Sequence, residues 1–220
     1  MHTFIIRAST IPDAWYQALR LIRDCGREYI IDRGSFKGSK RKEIDSVVVH
    51  IKKPYLEPYT EMLPIIPENM NIPNPTSEKY ISQYVRYIMT PELEPNEQYT
   101  YGSRIHDQIF KVIEMFKREG HNTNQAVLQI AQPSDIDLDD PPCFRHIHLK
   151  IIDGKLHSFL VARSWDAWSG MPSNLPAFAI LQKFIAEQVG VEIGEMVVFC
   201  SGLHVYDFNY EYMNIRLGGV

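Results

Sequence analysis

The stretch HIHLKIIDGKLHSFLVAR, residues 146–163, constrains the fold more than any other part of the chain. Asp153-Gly154 separates two runs rich in apolar and β-branched residues. Asp-Gly adopts the positive φ angles of a two-residue hairpin turn without strain. Folding about it sets residue 157 opposite residue 150, so His146, His148 and His157 share one strand face and the residues between them face a core. Further strands are expected at 44–51 (IDSVVVHI), 125–131 (QAVLQIA) and 195–200 (EMVVFC). Helical spacing appears at 10–26, 77–89, 106–120 and 174–190. In the first of these Thr10 can cap, Pro12 suits the first turn, and Ile11, Trp15, Leu19 and Ile22 share a face that Gly26 ends. Residues 32–43 and the proline-rich 52–76 read as irregular connections. Helices interleaved with hairpin-linked strands predict an α+β fold, a single domain over residues 1–220.

Charge and cysteine usage narrow the function classes. The net charge is −4, so no global basic field draws nucleic acid or an anionic membrane, and an anionic ligand must be held by local arginines. No apolar run approaches the roughly 20 residues of a membrane span. The opening MHTFIIRASTIPDAW lacks the basic region and apolar run of a signal peptide. The 3 cysteines are an odd count without CxxC spacing, which predicts reduced thiols in a cytoplasm.

Three segments carry candidate chemistry. In DDPPCFRHIH (139–148), Cys143 follows two prolines that keep its approach extended. It reads as core filling, a metal ligand or a nucleophile whose thiolate Arg145 and Arg163 could favour. The three histidines of the hairpin could bind zinc, but Lys150 stands among them and opposes a cation. In RSWDAWSGMPSN (163–174), Arg163 and Ser164 suit a phosphate. Asn174 offers the donor and acceptor that read a uracil edge. In SGLHVYDF (201–208), His204 and Tyr206 point one way, toward a sugar hydroxyl or into the core. The loop DRGSFKGSKRKE (32–43) is either a solvated turn or a phosphate contact.

The order of these pieces resembles the folate-dependent thymidylate synthase family. It runs Pro142-Cys143, Asp153-Gly154-Lys155-Leu156, Arg163-Ser164-x-Asp166, Gly170-x-Pro172-x-Asn174, Gly194-Glu195, then His204-x-Tyr206. Weaker echoes are Asp32-Arg33-Gly34 and Tyr101-Gly102. The short length and RSWDAW are similar to the compact archaeal-type branch. The resemblance implies a mixed sheet packed with helices that dimerises through the sheet. It implies a homodimer that converts dUMP to dTMP, with methylenetetrahydrofolate or a modified archaeal folate as carbon and hydride donor, and with no metal and no flavin. Membranes and stable nucleic-acid partners are not expected.

By the same resemblance Cys143 is the nucleophile and Arg163 assists it while binding phosphate with Ser164 and Arg33. Asp166 meets the pyrimidine through its backbone, Gly170 leaves room for the ligand, and Asn174 reads the uracil. His204 and Tyr206 contact the deoxyribose, and Tyr101 stands near the proton leaving carbon 5. The chain departs from the pattern at Phe144, where His is common, and at Ala162, where Gln is common. Asn124-Gln125 replace a pair of arginines that the partner subunit lends to the phosphate. Lys37, Lys40 or Arg41 are candidates to substitute for them, and Glu78 is a candidate proton relay. Other readings are a dCMP or CMP hydroxymethylase, a non-catalytic nucleotide- or RNA-binding relative, and a zinc hydrolase.

Overall fold

The hairpin about Asp153-Gly154 stands in a computed structural model that describes residues 2–218. Met1, Gly219 and Val220, the ends of the expected 1–220 domain, lie outside the described residues. Both turn residues take positive φ, 50° at Asp153 and 73° at Gly154. Lys150 faces His157 across the ladder, as the turn predicts.

In chain order the elements begin with β1 (Phe4–Ala8), α1 (Ile11–Cys25), β2 (Arg27–Ile30), β3 (Lys40–Ile44), β4 (Val47–Ile51), α2 (Glu78–Met89) and α3 (Tyr101–Glu119). They continue with β5 (Val127–Gln129), β6 (Phe144–Ile152), β7 (Lys155–Ala162), β8 (Trp165–Asp166), α4 (Gly170–Val189), β9 (Glu192–Cys200), β10 (Leu203–Tyr206) and α5 (Tyr210–Arg216). The architecture is α+β. A mixed sheet of order β1-β4-β9-β7-β6-β5 is joined by a smaller sheet of order β2-β3-β10-β8.

The large sheet has two unlike faces. Ile147, Leu149, Leu156, Leu160, Met196 and Val198 point inward and are buried under the helices. α4 is apolar nearly all round and buried through most of its length, as expected of a helix at the centre of a core. The opposite face carries Ile5, 55% exposed, and Phe199, 44% exposed. Val48 and Val161 are paired in register on either side of Phe199. An antiparallel or mixed sheet tolerates one solvated face, but an apolar centre on that face is uncommon.

Gln182 of α4 fixes an irregularity between β7 and β9. The register shifts between Leu156 and Ser158. Gln182 Nε2 donates to the carbonyls of Leu156 at 2.7 Å and of Gly194 and Glu195 at 3.3 Å, and its Oε1 accepts from the Ser158 hydroxyl at 2.7 Å. A Cβ at Gly194 would stand 2.8 Å from the His157 ring, so only glycine fits this approach.

Several sequence expectations need correction. Residues 40–43, expected in a loop, form β3 together with Ile44. That strand is polar, and its place is set by pairing with β2 and β10 rather than by apolar alternation. The expected strand 44–51 is broken at Asp45-Ser46, so Ile44 ends β3 and β4 begins at Val47. β1 and β2 were not anticipated. The helix expected from 106 starts at Tyr101, where Thr100 caps it and Ser103 reciprocates. α4 starts at Gly170 rather than 174, because Pro172 lies in its first turn, where no intrahelical N–H is needed.

Candidate active site

A cavity of about 320 Å³ opens where the two sheets meet. Its walls come from residues 31–36, Arg41 of β3, the segment 136–143, Arg163-Ser164, Asp166 of β8, and His204 and Tyr206 of β10. Of the residues expected in the site, Arg33, Cys143, Arg163, Ser164, Asp166, His204 and Tyr206 therefore converge on one space. Lys37 and Lys40 do not line it, whereas Arg41 does.

Two loops are stitched together to make one wall. Arg33 Nη2 donates to the carbonyls of Ile136 at 3.3 Å and Leu138 at 3.2 Å. Ser35 Oγ donates to Asp140 Oδ2 at 2.9 Å. Behind the segment, Arg104 clasps buried Asp135 through both nitrogens, at 2.9 Å and 2.7 Å.

Cys143 precedes β6. Its carbonyl accepts from the Arg163 N–H at 2.8 Å, which fixes the two residues side by side. The Arg163 side chain lies along the preceding prolines, donating to the carbonyls of Pro142 and Pro141. Burial pushes the Cys143 thiol above its ordinary pKa, Arg163 pulls it down, and Asp140 and Asp166 add to the rise. The thiol is thus half-buried and protonated at rest, with the cation that favours its ionisation beside it. Cys200 is also buried, and its thiol is pushed up to about 12 by desolvation.

His204 is 2% exposed. Its Nδ1 stands 2.9 Å from the Gly202 carbonyl, an acceptor only, so Nδ1 carries the hydrogen. Nε2 is then a bare acceptor, and it is buried without a partner. Desolvation pushes the ring pKa down to about 4, so the imidazole is neutral. A buried acceptor with no donor calls for a ligand hydroxyl or amide. Tyr206 packs edge-on against this ring at 4.7 Å and lies tilted by 34° against exposed Phe36 at 4.4 Å.

The Asp166 side chain is engaged in the turn before α4. Its carboxylate accepts from the Trp168 N–H at 2.9 Å and from the Ser169 hydroxyl at 2.5 Å. Asn174 and Gly170 lie behind the cavity wall. Trp165 Nε1 donates to Asn174 Oδ1 at 3.0 Å, which fixes the amide orientation because indole only donates. A Cβ at Gly170 would come 3.5 Å from that oxygen. Tyr101 is buried beside the thiol, and its hydroxyl accepts from the Phe144 N–H at 3.3 Å. Burial first, then a charge on Cys143, raises the Tyr101 pKa well above the ordinary phenol value. Tyr84, Tyr87 and Tyr99 gather round Tyr101, with ring centroids 5.4 Å to 6.5 Å from it. Sequence reading missed this tyrosine cluster, whose members stand on α2 and before α3.

Other expected residues lie elsewhere. Asn124 and Gln125 sit with Lys150–Asp153 at the turn end of β6, the far end from Cys143. Glu78 faces a separate surface cleft and accepts from the Tyr59 hydroxyl at 3.3 Å. His157 Nδ1 accepts from the Glu195 N–H at 3.1 Å. No three His, Cys, Asp or Glu side chains gather to hold a metal ion among the described residues. No described helix is long and apolar enough to cross a membrane.

The sequence model of the family described as Thymidylate synthase matches residues 77–218. A Methanosarcina mazei protein, whose name carries a provisional thymidylate synthase assignment, is 30% identical over 224 residues, 98% of this chain and 95% of that protein. A protein named thymidylate synthase from Listeria monocytogenes is 33% identical over 112 residues, 50% of this chain and 35% of that protein. Thermostable thymidylate synthase A of Bacillus subtilis has the same fold, with a TM-score of 0.74 and 17% identity, over 96% of this chain and 84% of that one.

Proposed function

The chain belongs to the thymidylate synthase family, and on that premise we propose that it converts dUMP to dTMP, with methylenetetrahydrofolate or a modified archaeal folate giving both the carbon and the hydride. The observation that carries this reading is the shared cavity. One half-buried thiol stands with Arg33, Arg163 and Ser164, which suit a phosphate, and with the unpartnered Nε2 of His204, which suits a sugar hydroxyl.

Each residue has a task set by its chemistry. The Cys143 thiolate adds to carbon 6 of the uracil, and the C5=C6 electrons move toward the C4 carbonyl oxygen, leaving carbon 5 enolate-like and nucleophilic. Arg163 favours the thiolate and pairs with phosphate. Asn174, behind the cavity wall with its oxygen held by Trp165, has only its amide N–H hydrogens left to donate, and a base that reaches past the wall to them is matched by the O4 acceptor of uracil better than by the amino group of cytosine. Tyr101 is placed beside the thiol to assist loss of the carbon 5 proton, and the tyrosines around it offer a flat surface for the donor's ring. A cytoplasmic, reducing setting keeps the thiol free.

The working unit is read as a homodimer. The uncovered face of the large sheet carries exposed Ile5 and Phe199, apolar surface that a second copy would bury, and Asn124-Gln125 are too far along β6 to serve the cavity of their own chain. The function is tested by incubation with fluorodeoxyuridylate and methylenetetrahydrofolate, followed by intact mass. A stable ternary adduct on Cys143, lost in Cys143→Ser, is expected. An adduct on another residue, or none, removes the mechanism, and turnover of dCMP in place of dUMP installs the hydroxymethylase reading.

A further inference from the structure

The cavity holds a third guanidinium. β3 and β10 pair antiparallel, with Arg41 opposite Tyr206 and Glu43 opposite His204. The two-residue period puts all four side chains on one face, and Arg41, His204 and Tyr206 line the cavity. Arg41 is held from behind. Its Nε donates to the Tyr29 hydroxyl at 2.6 Å, its guanidinium lies 5.0 Å over the Tyr29 ring, and Nη2 stands 2.8 Å from Glu43 Oε2. That ion pair lacks hydrogen-bond alignment, so Glu43 Oε2 remains without a donor. Glu43 is 6% exposed and is also 4.0 Å from Arg27 and 3.9 Å from His204 Nδ1. Arg41 thus spends its Nε–H on Tyr29 and holds Glu43 by charge, which leaves its four terminal N–H donors without a hydrogen-bond acceptor among the described residues.

We propose that Arg41 binds the phosphate of the nucleotide directly, together with Arg33 and Arg163, and that Glu43 is the positioning residue that holds it in place. The proposal rests on the nucleotide reading above. It supplies from within one chain a cation that Asn124 and Gln125 do not carry. Lys37 and Lys40, the neighbouring cations in sequence, fall outside the cavity and are not part of it.

The test compares dUMP with deoxyuridine by calorimetry. Arg41→Gln is expected to weaken dUMP by about 10- to 100-fold, the range of a charge-assisted bond, and to leave deoxyuridine unchanged. Arg41→Lys, which keeps the charge without the fork, falls between. Glu43→Gln raises KM for dUMP while kcat is retained. Equal weakening of dUMP and deoxyuridine in Arg41→Gln marks a merely structural arginine and overturns the proposal, as does no weakening of either. A second arm does not depend on the nucleotide. Inorganic phosphate should slow alkylation of Cys143 by iodoacetamide in the wild type, and much less in Arg41→Gln. Equal protection in both proteins overturns the proposal. Failure of the wild type to bind dUMP, with protection by phosphate still sensitive to Arg41, would count against the proposed function alone.

Discussion

Gly202 takes the Nδ1 hydrogen of His204, and the surrounding protein shuts the rest of the ring from water. Its pKa in the fold is about 4, against about 6.5 when the chain is unfolded. Between those values the unfolded chain binds a proton that the folded chain refuses, so stability rises with pH across the window. The contribution is fully present above pH 6.5 and is lost as pH falls through 4, by roughly 3 kcal/mol at full extent. His204→Gln should flatten this acid limb, as read from urea midpoints at pH 7.5 and 4.5. An unchanged difference between the two midpoints would assign the acid sensitivity to another group.

At the scale of elements, Gln182 ties α4 to the irregular seam of β7 and β9. Gln182→Leu conserves volume but leaves the Ser158 hydroxyl and the carbonyls of Leu156 and Gly194 without their partner. A loss of at least about 3 kcal/mol is expected, since each of these stranded buried groups costs about 1–3 kcal/mol. Urea denaturation measures it, and a variant as stable as the parent would mean that water or a rearranged seam replaces the amide. Elements like these also show what the sequence could and could not reveal. The hairpin was legible because Asp-Gly dictates the turn, and α1 because Thr10, Pro12 and its apolar stripe agree. The site residues near it were legible because each stands in a short motif at the end of a strand. β3 was not legible. KRKEI has no apolar alternation, and its strand form comes from partners distant in sequence, so Arg41 stood as one of three loop cations offered for the phosphate and Glu43 carried no signal. The start of α4 was masked by Pro172, which its first turn accommodates, and Gln182 carried no local signal of a role at β7 and β9.

For the whole molecule, the uncovered sheet face is the feature that most needs a partner. Phe199 lies on it between Val48 and Val161. Burying such a face against its own copy satisfies it on both sides by one symmetric contact. Sedimentation should give a mass about twice the 25.5 kDa of one chain. Phe199→Glu places a charge at the centre and should yield a folded single chain with little turnover. A wild type that sediments as one chain with full turnover would retire the homodimer. The walls of the cavity come from residues 31–41, 136–143, 163–166 and 204–206, so no contiguous fragment contains it. A nascent chain emerging from the ribosome has its thiol before His204 and Tyr206, since β10 follows Cys143 in the chain. The cavity therefore closes only when β10 pairs with β3, a contact between segments far apart in sequence, and a change that loosens this pairing opens the cavity wall.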